Sequence, residues 1–243
     1  MDCNYIRDKA SDVLIECNTK QFPIDCFRIL RHYGYKIYTY SELQDKDIAL
    51  YDMCISYSDD AFRIGNMKLI AYNEKKPRVR VRFSLMHELG HHILKHKNDS
   101  DENEAEANYF ASNLLAPRIA MYYAKLKTVN SVAELFEISA SAAYYAAQDF
   151  SEWCQDICHV GMHSYDKNLY SQFYNAEYNG FVYSIKNCEY CGKLLYNSHS
   201  DHCKTCCVPE IDNSRIYSHQ VPMHNIDMDL FRRLENNWLY GGL

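Results

Sequence analysis

The chain has 243 residues, of which 47% are hydrophobic and 24% charged, and this balance excludes a disordered chain. Its eight glycines and five prolines exclude collagen-like and linker-dominated architectures. A net charge of -6 argues against a surface that binds nucleic acid or membranes over its whole extent.

The sequence shows no sign of export or membrane insertion. No apolar stretch reaches the length of a signal peptide at the N-terminus or of a membrane-spanning helix elsewhere. We therefore expect a cytoplasmic protein without a membrane partner. Disulfides are rare in the cytoplasm, so clusters among the 11 cysteines are predicted to bind metal.

The first hundred residues predict a mixture of helices and strands. In chain order, the patterns predict a helix over 22–33, strands over 35–40, 49–57 and 67–72, a turn over 73–77, an extended segment over 78–82 and a helix over 84–97. The extended segment is inferred from the period-two alternation of arginine and valine. The last helix has a strong apolar periodicity and becomes the centre of the functional prediction.

Helices dominate after the acidic stretch over 98–103. Ser100 or Asp101 is predicted to cap a helix that runs to about Leu115 and is stopped by Pro117. Further helices are expected over 119–127 and 132–150.

The segment 128–150 resembles a helix-turn-helix. Its expected core positions are Val132, Leu135, Phe136 and Ile138, and Ser139 is expected to cap the second helix. The segment contains no lysine or arginine, so it lacks the cations that neutralise DNA phosphates. We therefore predict a packing role for this helix pair, and direct nucleic-acid binding is not expected.

His87, Glu88 and His91 form the pattern H-E-x-x-H on the helix predicted over 84–97. Residues four apart share one face of a helix, so the two imidazoles can bind one zinc ion. Glu88 is then placed to act as a general base on a water whose pKa zinc lowers. This pattern predicts a catalytic zinc site.

A third zinc ligand is expected from the helix that follows. If the two helices form an antiparallel hairpin, Glu104 lies level with His91, and Glu106 lies roughly 3 Å off level on another face. Asn108, one turn after Glu104, is predicted to hydrogen-bond a ligand histidine from the second shell. The alternative third ligands are Glu102 and Glu106.

The segments RFSLMHELGHHIL and EAEANYFASNLLAP resemble the ImmA/IrrE family of metallopeptidases, both in their motifs and in their order. The similarity is strong from about Ile70 to Pro117 and fainter over 20–150. Carried over from the family, the zinc ligands are His87, His91 and Glu104, and the catalytic base is Glu88. The resemblance also implies a substrate class, namely helix-turn-helix repressors that silence prophages and other mobile elements. His92 is a local variation, interpreted as a surface residue that does not bind zinc.

One concentrated basic run precedes the helix predicted over 84–97. Its members are Lys75, Lys76, Arg78, Arg80 and Arg82. The favoured interpretation is a solvated strand edge, which positive charge protects against pairing. The alternative is a rim that steers an acidic peptide segment into the zinc cleft.

A second metal site is predicted near the C-terminus. Its ligands are Cys188, Cys191, Cys203 and Cys206, in the arrangement C-x2-C, eleven residues, C-x2-C. Four thiolates close a tetrahedral zinc without an open position, so this site is expected to be structural. The neighbouring His202 and Cys207 are alternative ligands. The loop over 193–202 holds one lysine and no arginine, which favours a scaffold or protein contact over nucleic-acid binding.

These features predict an α+β protein. The expected units are a zincin-like metallopeptidase domain with a small mixed sheet over 1–150, a connector over 151–184, a zinc ribbon over 185–210 and a C-terminal segment over 211–243. The predicted function is that of a zinc endopeptidase, with one catalytic and one structural zinc, that cleaves a regulatory protein such as a helix-turn-helix repressor. The alternative is a zinc-dependent regulatory protein that binds and sequesters the repressor without cutting it.

Overall fold

The computed structural model describes residues 1–98 and 100–206. The helices in this part of the chain are α1 (Cys3–Glu16), α2 (Cys26–His32), α3 (Tyr40–Lys46), α4 (Ile48–Tyr57), α5 (Arg78–Ile93), α6 (Asp101–Leu115), α7 (Arg118–Tyr123), α8 (Val129–Phe136), α9 (Ala140–Val160) and α10 (Ser164–Phe173). The strands are β1 (Lys36–Thr39), β2 (Ala61–Ile64), β3 (Leu69–Tyr72), β4 (Tyr174–Asn175), β5 (Gly180–Phe181), β6 (Ile185–Asn187) and β7 (Leu194–Tyr196). The α+β class with small sheets is confirmed.

A three-stranded mixed sheet lies on one side of α5, in the order β1-β3-β2. β1 runs parallel to β3, with Lys36 opposite Leu69, and β2 runs antiparallel to β3, with Ala61 opposite Tyr72. In this sheet β2 is an edge strand, and it also contacts α5. The sheet therefore places an edge strand next to the helix that carries H-E-x-x-H.

Helices α5 and α6 form the centre of the domain, and Gly90 lets them approach closely. A Cβ atom at Gly90 would lie 3.0 Å from Cδ1 of Phe110 and 3.2 Å from Cα of Ala107. Helix α1 packs on α6, and α2 packs on α5. The large buried side chains of the shared core include Ile6, Leu14, Leu30, Leu85, Phe110, Phe136, Trp153 and Phe173.

Several helix starts follow from local capping chemistry. Ser100 caps α6 by accepting a hydrogen bond from the backbone N–H of Asn103, and this confirms one of the two predicted caps. Ser139 caps α9 in the same way, with the N–H of Ala142 as donor. Asp2 caps α1, a helix that the sequence analysis did not predict.

The strand predicted over 49–57 is wrong, because these residues form helix α4. Asp47 decides the outcome, since its carboxylate accepts the backbone N–H of Leu50 and satisfies the first turn of a helix. A short apolar run is compatible with either structure, and periodicity alone does not distinguish them.

The extended segment predicted over 78–82 is also wrong, because α5 begins at Arg78 and ends at Ile93. The alternation does not mark a half-exposed strand, since Arg82 is buried. Its guanidinium donates from Nη1 to the carbonyl of Ile24 at 2.8 Å and from Nη2 to the carbonyl of Phe136 at 3.2 Å. Arg82 thus joins α5 to the end of α8.

The basic run is consequently not a strand edge, and local carboxylates neutralise much of it. The ion pairs are Lys76 with Asp59, Arg78 with Glu137 at 2.9 Å, and Arg80 with Asp60 through Nε at 2.8 Å. These pairs reduce the positive field that a steering rim would need.

Three of the four predicted core positions of the helix pair are buried, and the fourth, Leu135, is only partly buried. Val132, Phe136 and Ile138 are buried in the main core. α9 continues through residue 150 to Val160, and Phe181, further along the chain, lies in the same core. The boundary placed at residue 150 stays a prediction.

The segment that contains the four cysteines is a small hairpin of β6 and β7 with two cysteine turns. Asn197 joins it to the preceding chain, because its Nδ2 donates to the carbonyl of Phe181 at 2.8 Å and its Oδ1 accepts the N–H of Tyr183 at 2.8 Å. Residues 207–210 of the predicted ribbon and the whole segment 211–243 lie outside the described residues.

None of the helices in residues 1–98 and 100–206 combines the length and the apolar character that crossing a membrane requires.

Candidate metal centre

His87, His91 and Glu104 converge where α5 faces the first turn of α6. The Nε2 atoms of the two histidines lie 3.0 Å apart. The carboxylate of Glu104 spans both, with Oε2 at 3.3 Å from Nε2 of His87 and Oε1 at 3.2 Å from Nε2 of His91. The structure therefore brings together the three residues predicted as ligands.

These separations fit a single tetrahedral metal ion. With zinc bonds of about 2.1 Å to nitrogen and oxygen, neighbouring ligand atoms lie roughly 3.4 Å apart. The three observed separations are 3.0, 3.2 and 3.3 Å. Two imidazoles and one carboxylate form the donor set of catalytic zinc sites, in which the fourth position stays open for water.

The two histidines are poised in the neutral form that binds metal. Burial lowers the pKa of His87, and it lowers the pKa of His91 to about 4, with the nearby His87 as the next cause. Nδ1 of His87 lies 3.0 Å from Oδ1 of Asn108. When Nδ1 donates this hydrogen bond, Nε2 offers its lone pair to the metal. Asn108 thus occupies the position predicted for it.

Glu88 lies one residue after His87, and its carboxylate faces an arginine from the sheet. Nε of Arg63, on the edge strand β2, lies 3.9 Å from Oε2 of Glu88. This Nε is buried and has no hydrogen-bond partner within residues 1–98 and 100–206. Sequence reasoning did not identify Arg63, because a contact between a strand and a helix 25 residues later leaves no local pattern.

A cleft of about 1380 Å³ runs past these groups. Strand β2 borders it through Ala61, Phe62 and Arg63, and the start of α9 borders it through Ala142 and Tyr145. The ligands and Glu88 line the same cleft. A peptide can therefore reach the ligands and the carboxylate together.

The alternative ligands contact other groups. Glu102 forms an ion pair with the N-terminal amine of Met1 at 3.3 Å, and Glu106 contacts His96. His92 is not in the ligand group: its ring packs edge-on against Tyr35, and its Nε2 lies 3.4 Å from Nζ of Lys68. It is partly buried rather than a freely exposed surface residue.

His96 is a residue of the site that sequence analysis missed. Its Nδ1 lies 3.1 Å from Nδ1 of His91, and its Nε2 lies 3.2 Å from Oε2 of Glu106. The available signal was a histidine five residues after a ligand histidine, just beyond the end of a helix. That signal is weak, because it requires the chain to turn back after the helix.

The four cysteines form a second candidate metal site. The sulfur atoms of Cys188, Cys191, Cys203 and Cys206 all lie within 4.8 Å of one another. Sγ of Cys191 and Sγ of Cys203 are 3.7 Å apart, close to the roughly 3.8 Å expected for tetrahedral zinc with bonds of about 2.3 Å to sulfur.

Backbone amides further prepare the cysteine site for metal. The N–H of Cys203 donates to Sγ of Cys188 at 3.3 Å, and the N–H of Cys206 donates to Sγ of Cys203 at 3.4 Å. Such donors, led by the N–H of Cys203, lower the pKa of Cys188 to about 6, which favours the thiolate form that binds metal. His202 is not in the group and packs on the ring of Tyr190, whereas Cys207 lies outside the described residues.

Comparison with known proteins agrees with the geometry of the cleft. Residues 39–148 match the family model of Peptidase M78, described as an IrrE N-terminal-like domain. The matched segment includes the three converging ligands and Glu88. No curated protein matches the chain. The family match supports a metallopeptidase function and a protein substrate.

Proposed function

We propose that the protein is a zinc endopeptidase that cleaves a regulatory protein, because residues 39–148 match the family model of Peptidase M78, which supports the ImmA/IrrE family. The observation that carries the proposal is the placement of Glu88 beside three converging ligands in one open cleft. Protein capture alone would not require a carboxylate next to the metal ligands. The proposed ligands are His87, His91 and Glu104.

The reaction requires a nucleophile, a base and stabilisation of the negative charge that develops on the carbonyl oxygen. A zinc ion bound by the three ligands would polarise the scissile carbonyl and lower the pKa of the attacking water. Glu88 accepts a proton from that water and passes it to the leaving nitrogen. Arg63, whose guanidinium lies against Glu88, is placed to donate a hydrogen bond to the carbonyl oxygen as it becomes negative.

The shape of the cleft suits an extended peptide. β2 pairs with β3 along one edge, and residues of β2 border the cleft. An extended segment can add to such an edge through main-chain hydrogen bonds, which hold the peptide without demanding a particular sequence. This arrangement favours a protein segment over a compact small molecule.

We further propose that the substrate is a helix-turn-helix repressor of a prophage or mobile element, as the family resemblance implies. The protein is expected to act in the cytoplasm, where the thiols of a four-cysteine zinc site stay reduced. The cysteine site is proposed to hold a structural zinc, and its hairpin to serve as a scaffold or protein contact. The helix pair α8 and α9 lacks the cations for DNA binding over 128–150.

The test incubates the purified protein with the helix-turn-helix regulator encoded beside it and follows both chains by intact-mass spectrometry. Three proteins are compared: the wild type, Glu88→Gln and the matched control Glu102→Gln, which removes an exposed carboxylate that pairs with the N-terminal amine and is not in the ligand group. Zinc content is measured in all three. We expect cleavage by the wild type and the control, and none by Glu88→Gln with its zinc retained.

The same experiment addresses the alternative function, a zinc-dependent protein that sequesters the repressor. An intact regulator, together with a stable complex formed equally by the wild type and Glu88→Gln, would replace the peptidase proposal with the binding one. Cleavage by Glu88→Gln at the wild-type rate would remove Glu88 from the mechanism.

A further inference from the structure

A short turn after α5 returns a third histidine to the metal centre. Lys95 adopts the left-handed conformation, with φ 60°, and the backbone N–H of His96 donates to the carbonyl of His91 at 3.0 Å. This turn places the imidazole of His96 edge-on against that of His91, with ring centroids 5.1 Å apart. The His96 side chain is only 6% exposed, so its ring nitrogens depend on protein partners.

The contact is made through the ring nitrogen of His91 that does not face the other two proposed ligands. His91 presents Nε2 to His87 and Glu104, and its Nδ1 lies 3.1 Å from Nδ1 of His96. His96 is therefore not a fourth ligand. Its position is that of the outer partner that metal-bound histidines generally need.

The tautomers of His91 and His96 follow from the partner that each ring nitrogen faces. His91 can offer the Nε2 lone pair only if its proton is on Nδ1. That proton must be donated to Nδ1 of His96, so Nδ1 of His96 must carry a lone pair. The proton of His96 is then on Nε2, which lies 3.2 Å from the carboxylate of Glu106.

We propose that His96 and Glu106 form a relay that holds His91 in the tautomer and ring orientation needed to bind the metal. Glu106 accepts from Nε2 of His96, and Nδ1 of His96 in turn accepts from Nδ1 of His91. Both are positioning residues rather than catalytic ones, and they do for His91 what Asn108 does for His87. The proposal rests on the proposed metal site and extends it to two residues that bind neither metal nor substrate.

The first test measures zinc affinity of the full chain by competition with a chromophoric chelator, with the cysteine site kept loaded. His96→Leu is expected to weaken zinc binding at the cleft about 10- to 100-fold, the usual effect of losing such a partner. His96→Asn should stay within a few-fold of the wild type, because its amide oxygen can accept from His91. His92→Leu is the matched control and should leave the affinity unchanged.

A double-mutant cycle distinguishes a relay from two independent packing contacts. Glu106→Leu alone should weaken zinc binding, because His96 loses the acceptor that fixes its proton. In the His96→Leu background the same substitution should have no further effect. Additive losses in the double variant would overturn the relay.

A direct readout comes from long-range ¹H–¹⁵N correlation spectra of the imidazole rings in the zinc-loaded wild type. The relay requires a proton on Nδ1 of His91 and on Nε2 of His96. A proton on Nδ1 of His96, or wild-type affinity in folded His96→Leu, would overturn it. Binding of a single zinc by the wild type, at the cysteines alone, would instead remove the proposed metal centre itself, so the two failures are distinguishable.

Discussion

Asp166, in the first turn of α10, is a buried carboxyl group with a neutral hydrogen-bond partner, and we expect it to destabilise the protein at neutral pH. The residue is 4% exposed, and its Oδ2 accepts a hydrogen bond from Nε1 of Trp153 at 3.1 Å. Burial raises the pKa of Asp166 to about 6, although the indole and the charges of His163 and Arg7 oppose the shift.

The size of the effect follows from proton linkage. The pKa rises from 3.8 in the unfolded chain to about 6 in the folded protein, and each pKa unit corresponds to about 1.36 kcal/mol, so ionisation costs about 3 kcal/mol of folding free energy. Because the folded state binds this proton more tightly than the unfolded chain does, protonation of Asp166 stabilises the folded protein. This stabilisation is fully present below the pKa that Asp166 has in the unfolded chain. It is lost as the pH rises from about 4 through 6.

Asp166→Asn keeps a carbonyl oxygen for the indole and removes the charge. The variant should therefore be more stable than the wild type by up to about 3 kcal/mol at pH 8, with the difference shrinking towards pH 4. Urea unfolding of both proteins at several pH values, at equal zinc content, gives this difference. Asp156→Asn serves as the control: its carboxylate is partly exposed and pairs with His163 at 2.6 Å, so its effect should stay within about 1 kcal/mol.

The reasoning would be refuted by an Asp166→Asn variant that is less stable than the wild type at pH 8, or by a difference that does not change with pH. The indole ¹H–¹⁵N resonance of Trp153 provides an independent check. It should shift with a midpoint near the pKa of its acceptor, at about 6.

Three further outcomes are expected. Gly90→Ala should lower stability by about 1–3 kcal/mol in thermal unfolding, because its Cβ would lie 3.0 Å from Phe110, and a gain in stability would contradict the tight helix contact. Asp149→Ala should lower the free energy of unfolding, measured with urea, by about 3–5 kcal/mol, because the buried guanidinium of Arg118, which is 3% exposed, loses its carboxylate partner. A decrease below about 1 kcal/mol would refute this. Cys188→Ser should reduce the zinc content from two ions to one per chain by elemental analysis while the cleft zinc is retained, and an unchanged content would exclude Cys188 as a ligand.

The ligand geometry was predictable because it depends on local rules. Two histidines four apart on a helix must share a face, and the constant rise of a helix fixes which residue of an antiparallel neighbour lies level with them. His87, His91 and Glu104 obey these rules, and they converge in the structure. Arg63 and His96 reach the site through a strand and a left-handed turn, for which no periodic signal exists.

The errors in secondary structure have equally specific causes. The apolar run over Ile48–Tyr57 has no clear period and fits a strand as well as a helix, whereas the cap by Asp47 favours the helix. Helix α1 does have a local signal in the sequence. Its buried residues Ile6, Ala10, Val13 and Leu14 follow helical spacing after an Asp2 cap.

The core described above does not end where the family match ends. Ile6 and Leu14 precede the matched segment, Phe173 and Phe181 follow it, and all four lie in one cluster with the residues of α5 and α6. The matched stretch is thus only part of the folding unit. An evolutionary transfer of the peptidase segment to another protein would have to bring its flanking helices along, or supply substitutes that cover the same apolar surface.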